Sequence, residues 1–154
     1  MVKKIDSRAK GARAELVARD LMRKATGLKW ERTPSSGALD SAHKLKGDLY
    51  VPNEKNRYLI EVKHYKEDEL SSKILVNKAP TLFEWWDKAC RQAAETDKRP
   101  IVMYKWNRSK WYMLSDRDII AADDKYIIIH TGNNKGYIRD FDSFVELFGG
   151  TVWV

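Results

Sequence analysis

Apolar residues recur along the first 65 positions at two different periods, and the change of period marks a change of structure. Over residues 7–25, Ala14, Val17, Ala18, Leu21 and Ala25 fall at helical spacing, the pattern of a helix that buries one face. Ser7 stands where an N-cap belongs, and Gly27 follows the last turn as a stop. Glu15 lies about 100° round from Ala14, on the margin of the stripe. A carboxylate there reaches inward without being buried in apolar packing. Residues 28–32 predict a short strand. Thr33-Pro34-Ser35-Ser36-Gly37 is turn chemistry, and it opens a polar loop that runs to about Lys46.

The period then drops to two. Residues 48–51 and 57–65 predict strands joined by a turn at Pro52-Asn53-Glu54-Lys55-Asn56, a hairpin. Strand side chains alternate faces, so Ile60 and Val62 share one face while Leu59, Glu61 and Lys63 share the other. Residues 66–80 are polar and basic without clear periodicity. Thr81-Leu82-Phe83-Glu84 has the form of a capping box, opening a helix with Leu82, Trp85, Trp86, Ala89 and Ala93 as its stripe. Strands are predicted at 101–106 and 111–114, turned by Asn107-Arg108-Ser109-Lys110. Ser115 is expected to cap a short helix through Ala122. A strand at 126–131, a turn at 132–136 and a last helix capped by Asp142 and ending near Gly149 complete the chain. With no repeat and no linker, this order predicts one α/β domain over residues 1–154, a central mixed β-sheet flanked by helices.

Composition narrows the class. The chain has 154 residues, a formal charge of +7 and a pI of about 9.4. That balance favours a polyanionic partner, of which nucleic acid is the commonest. The alternative is a basic protein that is merely soluble. A single cysteine, Cys90, excludes an internal disulfide and a cysteine zinc cluster. His43, His64 and His130 are too scattered for a zinc motif by spacing. The charged start, Met1-Val2-Lys3-Lys4-Ile5-Asp6, is not a signal-peptide core, and no apolar run approaches the ~20 residues needed to span a bilayer. These features predict an intracellular protein with no membrane partner.

The chemistry concentrates on the hairpin. Asp48 follows Gly47 on one arm, and Glu61-Val62-Lys63 occupies the other. Phosphodiester hydrolysis needs an activated water, charge neutralisation at phosphate and an assisted leaving group, which divalent ions held by carboxylates supply. Asp48 and Glu61 are the candidate ligands, with the Val62 carbonyl as a further one. Lys63 would orient the attacking water or stabilise the phosphorane charge. The plain alternative is an exposed strand face carrying a cross-strand salt bridge, since E-x-K by itself is a weak signal.

Gly47-Asp48, twelve intervening residues and Glu61-Val62-Lys63 together resemble the PD-(D/E)XK nuclease superfamily. Within it, the chain resembles the archaeal-type Holliday junction resolvases and their phage relatives. Lys10-Gly11 through Glu15 is similar to that family's N-terminal helix, and Arg32-Thr33-Pro34-Ser35-Ser36-Gly37 to its R-x-P-x-S-G loop. The likeness covers roughly residues 8–66. Gly47 departs from it, standing where the superfamily pattern has proline, and the loop from Gly37 to Asp48 is slightly long.

The resemblance implies a restriction-endonuclease-like fold and a magnesium-dependent endonuclease, with manganese as a substitute. Glu15, Asp48 and Glu61 would hold the metal, Lys63 would assist catalysis, and Ser36 would act near the scissile phosphate on a mobile loop. It also implies a homodimer with one site per subunit, cutting opposed strands of a four-way DNA junction inside the cell, whether cytoplasmic, nucleoid-associated or in a phage-infected host.

Lys3, Lys4, Arg8, Lys10, Arg13 and Arg32 are the candidate DNA contacts, each neutralised phosphate adding a salt-dependent term. For the N-terminal group the alternative is a solvated helix face; for Arg32 it is a strand-end salt bridge. Trp85 and Trp86 fit core or dimer interface better than base stacking, and His64 fits packing or surface. Three rival functions stay open: a restriction-like or repair nuclease of ordinary duplex, a non-catalytic basic DNA-binding module, and an RNA-binding protein with a coincidental E-x-K.

Overall fold

The structure, a computed structural model, describes residues 7–34, 46–116, 125–148 and 153–154. Helix α1 spans Ser7–Thr26. Ala14, Ala18 and Met22 are its buried row, four residues apart and so stacked on one face. Leu21 and Ala25 pack at the edge of that row. Val17 does not join it; the side chain is 51% exposed. The helix is rolled so that small alanines meet the sheet, which permits a close approach. Gly27, at φ +74°, ends the helix as expected, its N–H donating to the Arg23 carbonyl at 2.9 Å.

Among the described residues, seven strands form one sheet in the order β1-β2-β3-β4-β5-β7-β6. Strands β1 (Glu31–Arg32) and β2 (Leu49–Tyr50) are shorter than predicted. Strand β3 is Tyr58–Tyr65, and Leu49 of β2 stands opposite its Ile60. Beyond β2 the hairpin is closed by a side chain: Asn56 Oδ1 accepts from the Val51 N–H at 2.7 Å, and Asn56 Nδ2 donates to the Val51 carbonyl at 2.8 Å.

Strand β4 (Arg99–Trp106) runs parallel to β3 along its whole length. A parallel pair needs a crossover. Here it consists of a 3-10 turn, Ser72–Leu75, inside the segment read as featureless, and helix α2, Thr81–Glu95. Strands β5 (Tyr112–Ser115), β6 (Ile127–His130) and β7 (Lys135–Asp140) extend the sheet antiparallel. Helix α3, Phe141–Phe148, follows β7 directly. The architecture is the predicted α/β class, a mixed sheet between helices.

Several local expectations are corrected. The capping box at Thr81 does not form. Pro80 is the N-cap, with no side-chain cap, and its carbonyl accepts from Phe83 and Glu84 at 3.0 and 3.1 Å. Proline's fixed φ sets the entry one residue early, so Thr81 is already helical. Asp142 is not the cap of the last helix either; the Asp140 carboxylate accepts from the Ser143 N–H at 3.2 Å. Ser115 belongs to β5, and residues 117–122 of the helix expected after it lie outside the described residues.

Strand β7 begins inside the turn expected at 132–136 and runs through residues 137–140, for which the sequence predicts no element. Arg139 and Gly136 have tertiary reasons to be in a strand. Arg139 is 1% exposed, with its guanidinium 5.2 Å from the Tyr126 ring centre and 5.8 Å from that of Tyr137, a cation–π setting. Gly136 lies beneath Trp86.

The sheet separates two cores. One joins α1, α3 and the Ile60–Val62 face, with Trp30 and Trp153 edge-to-face at 5.7 Å between ring centres. The other joins α2 to Leu59, Val102, Leu114 and Ile138. Trp85 and Trp86 both belong to this second core. Trp86 is fully buried, and its indole packs so closely that a Cβ on Gly136 would lie 2.9 Å from Trp86 Nε1 and 2.6 Å from Leu114 Cδ1. Gly136→Ala is therefore expected to destabilise by about 1–3 kcal/mol through overpacking. Gly11→Ala, where the added Cβ meets nothing within 4 Å, is expected to stabilise by about 0.5–1 kcal/mol as a helix-interior glycine. Urea unfolding midpoints of the two variants, moving in opposite directions, check the pair.

Candidate active site

The site begins where the β2–β3 ladder ends. Gly47 has φ +88°, and an added Cβ would lie 3.0 Å from the Ile60 carbonyl oxygen. Only glycine takes that conformation at that distance without strain. Proline, whose φ is held near −65°, is excluded, which accounts for the departure from the proline pattern at this position. The close approach lets the Asp48 N–H donate to the Ile60 carbonyl at 2.7 Å. One pairing step further on, the Asp48 side chain takes over from the backbone: its Oδ2 accepts from the Val62 N–H at 2.7 Å. A strand residue's N–H and C=O leave on the same side of an antiparallel pair, so the Val62 carbonyl faces the Asp48 edge as well.

Asp48 sits between two other carboxylates. Burial and then the negative charge of Glu61 push its carboxyl up to about 7, against the lowering effect of the Val62 N–H. Glu15, reaching over from α1, is also raised, first by burial and then by Asp48. The Glu15 carboxylate is held by Arg32, with Nε and Nη2 at 2.8 and 2.7 Å from its Oε2. The Thr33 N–H donates to the Asp48 carbonyl at 2.9 Å, so the start of the Thr33–Pro34 loop is pinned beside the same aspartate. Lys63 shares the face of Glu61 on β3 by strand alternation.

The predicted Glu15, Asp48, Glu61 and Val62 thus come together, although they lie on three elements. Arg32 joins them as a partner of Glu15. Among the described residues, no three His, Cys, Asp or Glu side chains close into a metal-holding group. The electrostatic chain is instead pairwise, Glu15 to Asp48 and Asp48 to Glu61. This suits a small, hard cation that takes one or two carboxylates and keeps its waters. The all-oxygen donor set and the crowding of negative charge on Asp48 fit such an ion.

Lys10 and Arg13 line a cavity on the α1 side together with His64, Lys105, Asn107 and Trp111. Lys105, Asn107 and Trp111 were missed by sequence reasoning, and His64 was assigned to packing or surface. The missing signal was the parallel β3–β4 register, which sets His64 beside Lys105. Ser36, Lys3 and Lys4 lie outside the described residues, as does the side chain of Arg8. Cys90 is no nucleophile: burial, then Asp116 and Asp87, push its thiol up to about 12. Among the described residues, no helix is long and apolar enough to cross a membrane.

Fold and site together define an α/β protein whose mixed sheet gathers acidic side chains from three elements. A family model described as "Phage putative PDDEXK endonuclease" matches residues 6–151. Protein D14 of Escherichia phage T5 is 36% identical over 147 residues, covering 94% of this chain and 90% of that protein. The chain belongs to this phage PDDEXK endonuclease family. It is also similar, at 18% identity and a TM-score of 0.43, to the solved structure of Archaeoglobus fulgidus Hjc, a Holliday junction resolvase, over 86% of this chain and 85% of that one.

The raised Asp48 predicts a pH signature. The folded protein keeps a proton on Asp48 up to about pH 7, whereas the unfolded chain releases it near pH 4. The metal-free protein is therefore expected to lose stability as pH rises across that window, by an amount on the order of a few kcal/mol. Glu15 contributes with the same sign. Asp48→Asn removes the Asp48 part of the slope, so in EDTA its melting temperature should exceed the wild type's at pH 8 and approach it at pH 4. Thermal melts across this range check the sign.

Proposed function

We propose that this protein is a magnesium-dependent, homodimeric endonuclease that resolves four-way DNA junctions, built as a single nuclease domain. The observation that carries the metal site is the buried Asp48 carboxylate, held on the Val62 N–H at 2.7 Å and charge-coupled to both Glu61 and Glu15. The junction preference is supported by the likeness of the Arg32–Gly37 loop and the Lys10–Glu15 helix to resolvases. The pinning of that loop to Asp48 through Thr33 is in keeping with a substrate-facing role.

In this reading Glu15, Asp48, Glu61 and the Val62 carbonyl hold the ion. Bound magnesium supplies charge neutralisation at the phosphate and a more acidic attacking water. Manganese, equally content with oxygen ligands, substitutes. Lys63, on the Glu61 face, orients the attacking water or neutralises a phosphate oxygen as charge develops. Arg32 keeps Glu15 in place beside the site, and Ser36 acts near the scissile phosphate. One water is consumed per cut, and each cut leaves one phosphomonoester and one hydroxyl. The basic side chains Lys3, Lys4, Arg8, Lys10 and Arg13 hold flanking phosphates. The site of action is within an infected host cell.

An immobile four-way junction and a matched linear duplex, each incubated with protein in magnesium or EDTA, test this. Paired cuts near the junction centre are expected in magnesium alone. Asp48→Asn and Glu61→Gln should each slow them about a thousandfold, the scale of several kcal/mol of lost metal stabilisation, while junction binding in EDTA persists. Magnesium should also raise the melting temperature of the wild type at pH 8 and leave that of Asp48→Asn unchanged. Cutting of the duplex with no preference for the junction would make this a duplex nuclease. Wild-type cleavage rates in either variant would remove the metal assignment.

A further inference from the structure

A second concave site lies on the other face of β3 from Glu61 and Lys63. It is a cavity of about 300 Å³ between α1 and the carboxyl ends of β3 and β4. Lys10, Arg13 and Lys105 contribute its charged wall, and among the described residues no aspartate or glutamate lines it. Among the described residues, these three cations make no ion pair. A polar floor holds the first of them. Asn107 Oδ1 accepts from Lys10 Nζ at 3.3 Å and is 3.1 Å from His64 Nε2. An amide oxygen is an acceptor, so the His64 tautomer that serves this contact carries its proton on Nε2. The imidazole is disfavoured as a cation by burial and then by Lys10 and Lys105, as expected in a pocket already positive.

Apolar side chains complete the lining. Val17, the residue that left the buried row of α1, is 51% exposed beside this cavity. Trp111 offers its ring, with Lys105 Nζ 5.8 Å from the ring centre. Cations beside an aromatic and an aliphatic surface supply the two kinds of contact that the phosphate and the base of a nucleotide need. The volume agrees: it lies at the lower limit of pockets that take organic ligands, roughly 300–1,000 Å³, ample for a phosphate and too small for a duplex segment. The position agrees as well. His64 stands three residues beyond Glu61 on β3, about 10 Å along a strand, which is on the order of three nucleotide rises.

We propose that this cavity is a nucleotide subsite, taking the phosphate of one unstacked nucleotide on Lys10, Arg13 and Lys105 and its base on Trp111 and Val17. Its position next to the cut rests on the nuclease reading above; its capacity to bind a nucleotide does not. A paired, stacked base has no free face to offer Trp111. The subsite therefore selects a strand that leaves the duplex near the cleavage point, which a branch provides and a continuous duplex does not.

The test uses the full chain in EDTA. The probes are inorganic phosphate, thymidine 5′-monophosphate, a thymidine pentamer and pentamers with an abasic residue walked through each position. Arg13→Ala and Lys105→Ala should each weaken the pentamer about tenfold and reduce the salt slope by about one. The control Lys55→Ala, at an exposed hairpin turn, should leave both unchanged. Trp111→Leu should weaken the pentamer about tenfold, and Trp111→Phe, which keeps a ring, should restore most of the loss. In the wild type one abasic position should cost affinity, and in Trp111→Leu that cost should vanish.

A flat abasic walk in the wild type overturns the proposal. So does an equal effect of Lys55→Ala and Lys105→Ala, or equal affinity for phosphate and the nucleotide, which would leave an anion site. Matching melting temperatures exclude misfolding as the cause of any loss. Junction cleavage in magnesium is scored separately: no cutting with a positive walk removes the function and keeps the subsite, and cutting with a flat walk does the reverse.

Discussion

The close approach of Gly47-Asp48 to β3 is the constraint on which the site depends. Asp48 is tied to β3 twice within successive pairing steps, by its N–H to the Ile60 carbonyl and by its carboxylate to the Val62 N–H, each at 2.7 Å. The second bond replaces a ladder bond that β2, only two residues long, is too short to make. A backbone donor that would otherwise be left unpaired at the end of the hairpin is satisfied by a carboxylate. The same bond fixes the direction of that carboxylate between Glu61 and Glu15. The approach in turn requires the positive φ and missing Cβ of Gly47, so the glycine is as much part of the site as the aspartate.

Stability and chemistry pull in opposite directions at this point. Three carboxylates are brought close in a partly buried place, and burial together with Glu61 raises Asp48 to about 7. Arg32 offsets part of the repulsion by holding Glu15. The rest is borne by the two cores, the aromatic one around Trp30, Phe144 and Trp153 and the one in which Trp86 closes over Gly136. The chain as a whole carries +7, yet its most strained charges are negative. Such a split, a local acidic focus within a basic molecule, suits a cation and a polyanion that meet at one place.

The parallel β3–β4 pair sets where these features can meet. Open α/β sheets place their ligands at the carboxyl ends of parallel strands. Glu61 and Lys63 leave β3 on one face there, and His64 leaves on the other, beside Lys105 of β4. One strand end therefore serves an acidic site and a basic cavity back to back. Helix α1 borders both, with Glu15 at the first and Lys10 and Arg13 at the second.

The α/β order, α1, the hairpin and the pairing of Asp48 with Glu61 were legible in the sequence because they rest on local patterns: periods of 3.6 and 2, a stop glycine and turn residues. The E-x-K strand by itself was a weak signal, and it pointed to a nuclease only together with Gly47-Asp48, the Lys10–Glu15 helix and the Arg32–Gly37 loop. Other features were decided by contacts between distant segments. Strand β7 exists because Trp86 covers Gly136 and two tyrosine rings hold Arg139. The roll of α1 that frees Val17 follows from how near alanines can approach the sheet. The basic cavity arises only when parallel pairing brings residue 105 beside residue 64. Local sequence determines which backbone conformations are cheap and which side chains are available. Which side chains become neighbours is set by packing across the sheet, a property of the whole chain that no single stretch of it carries.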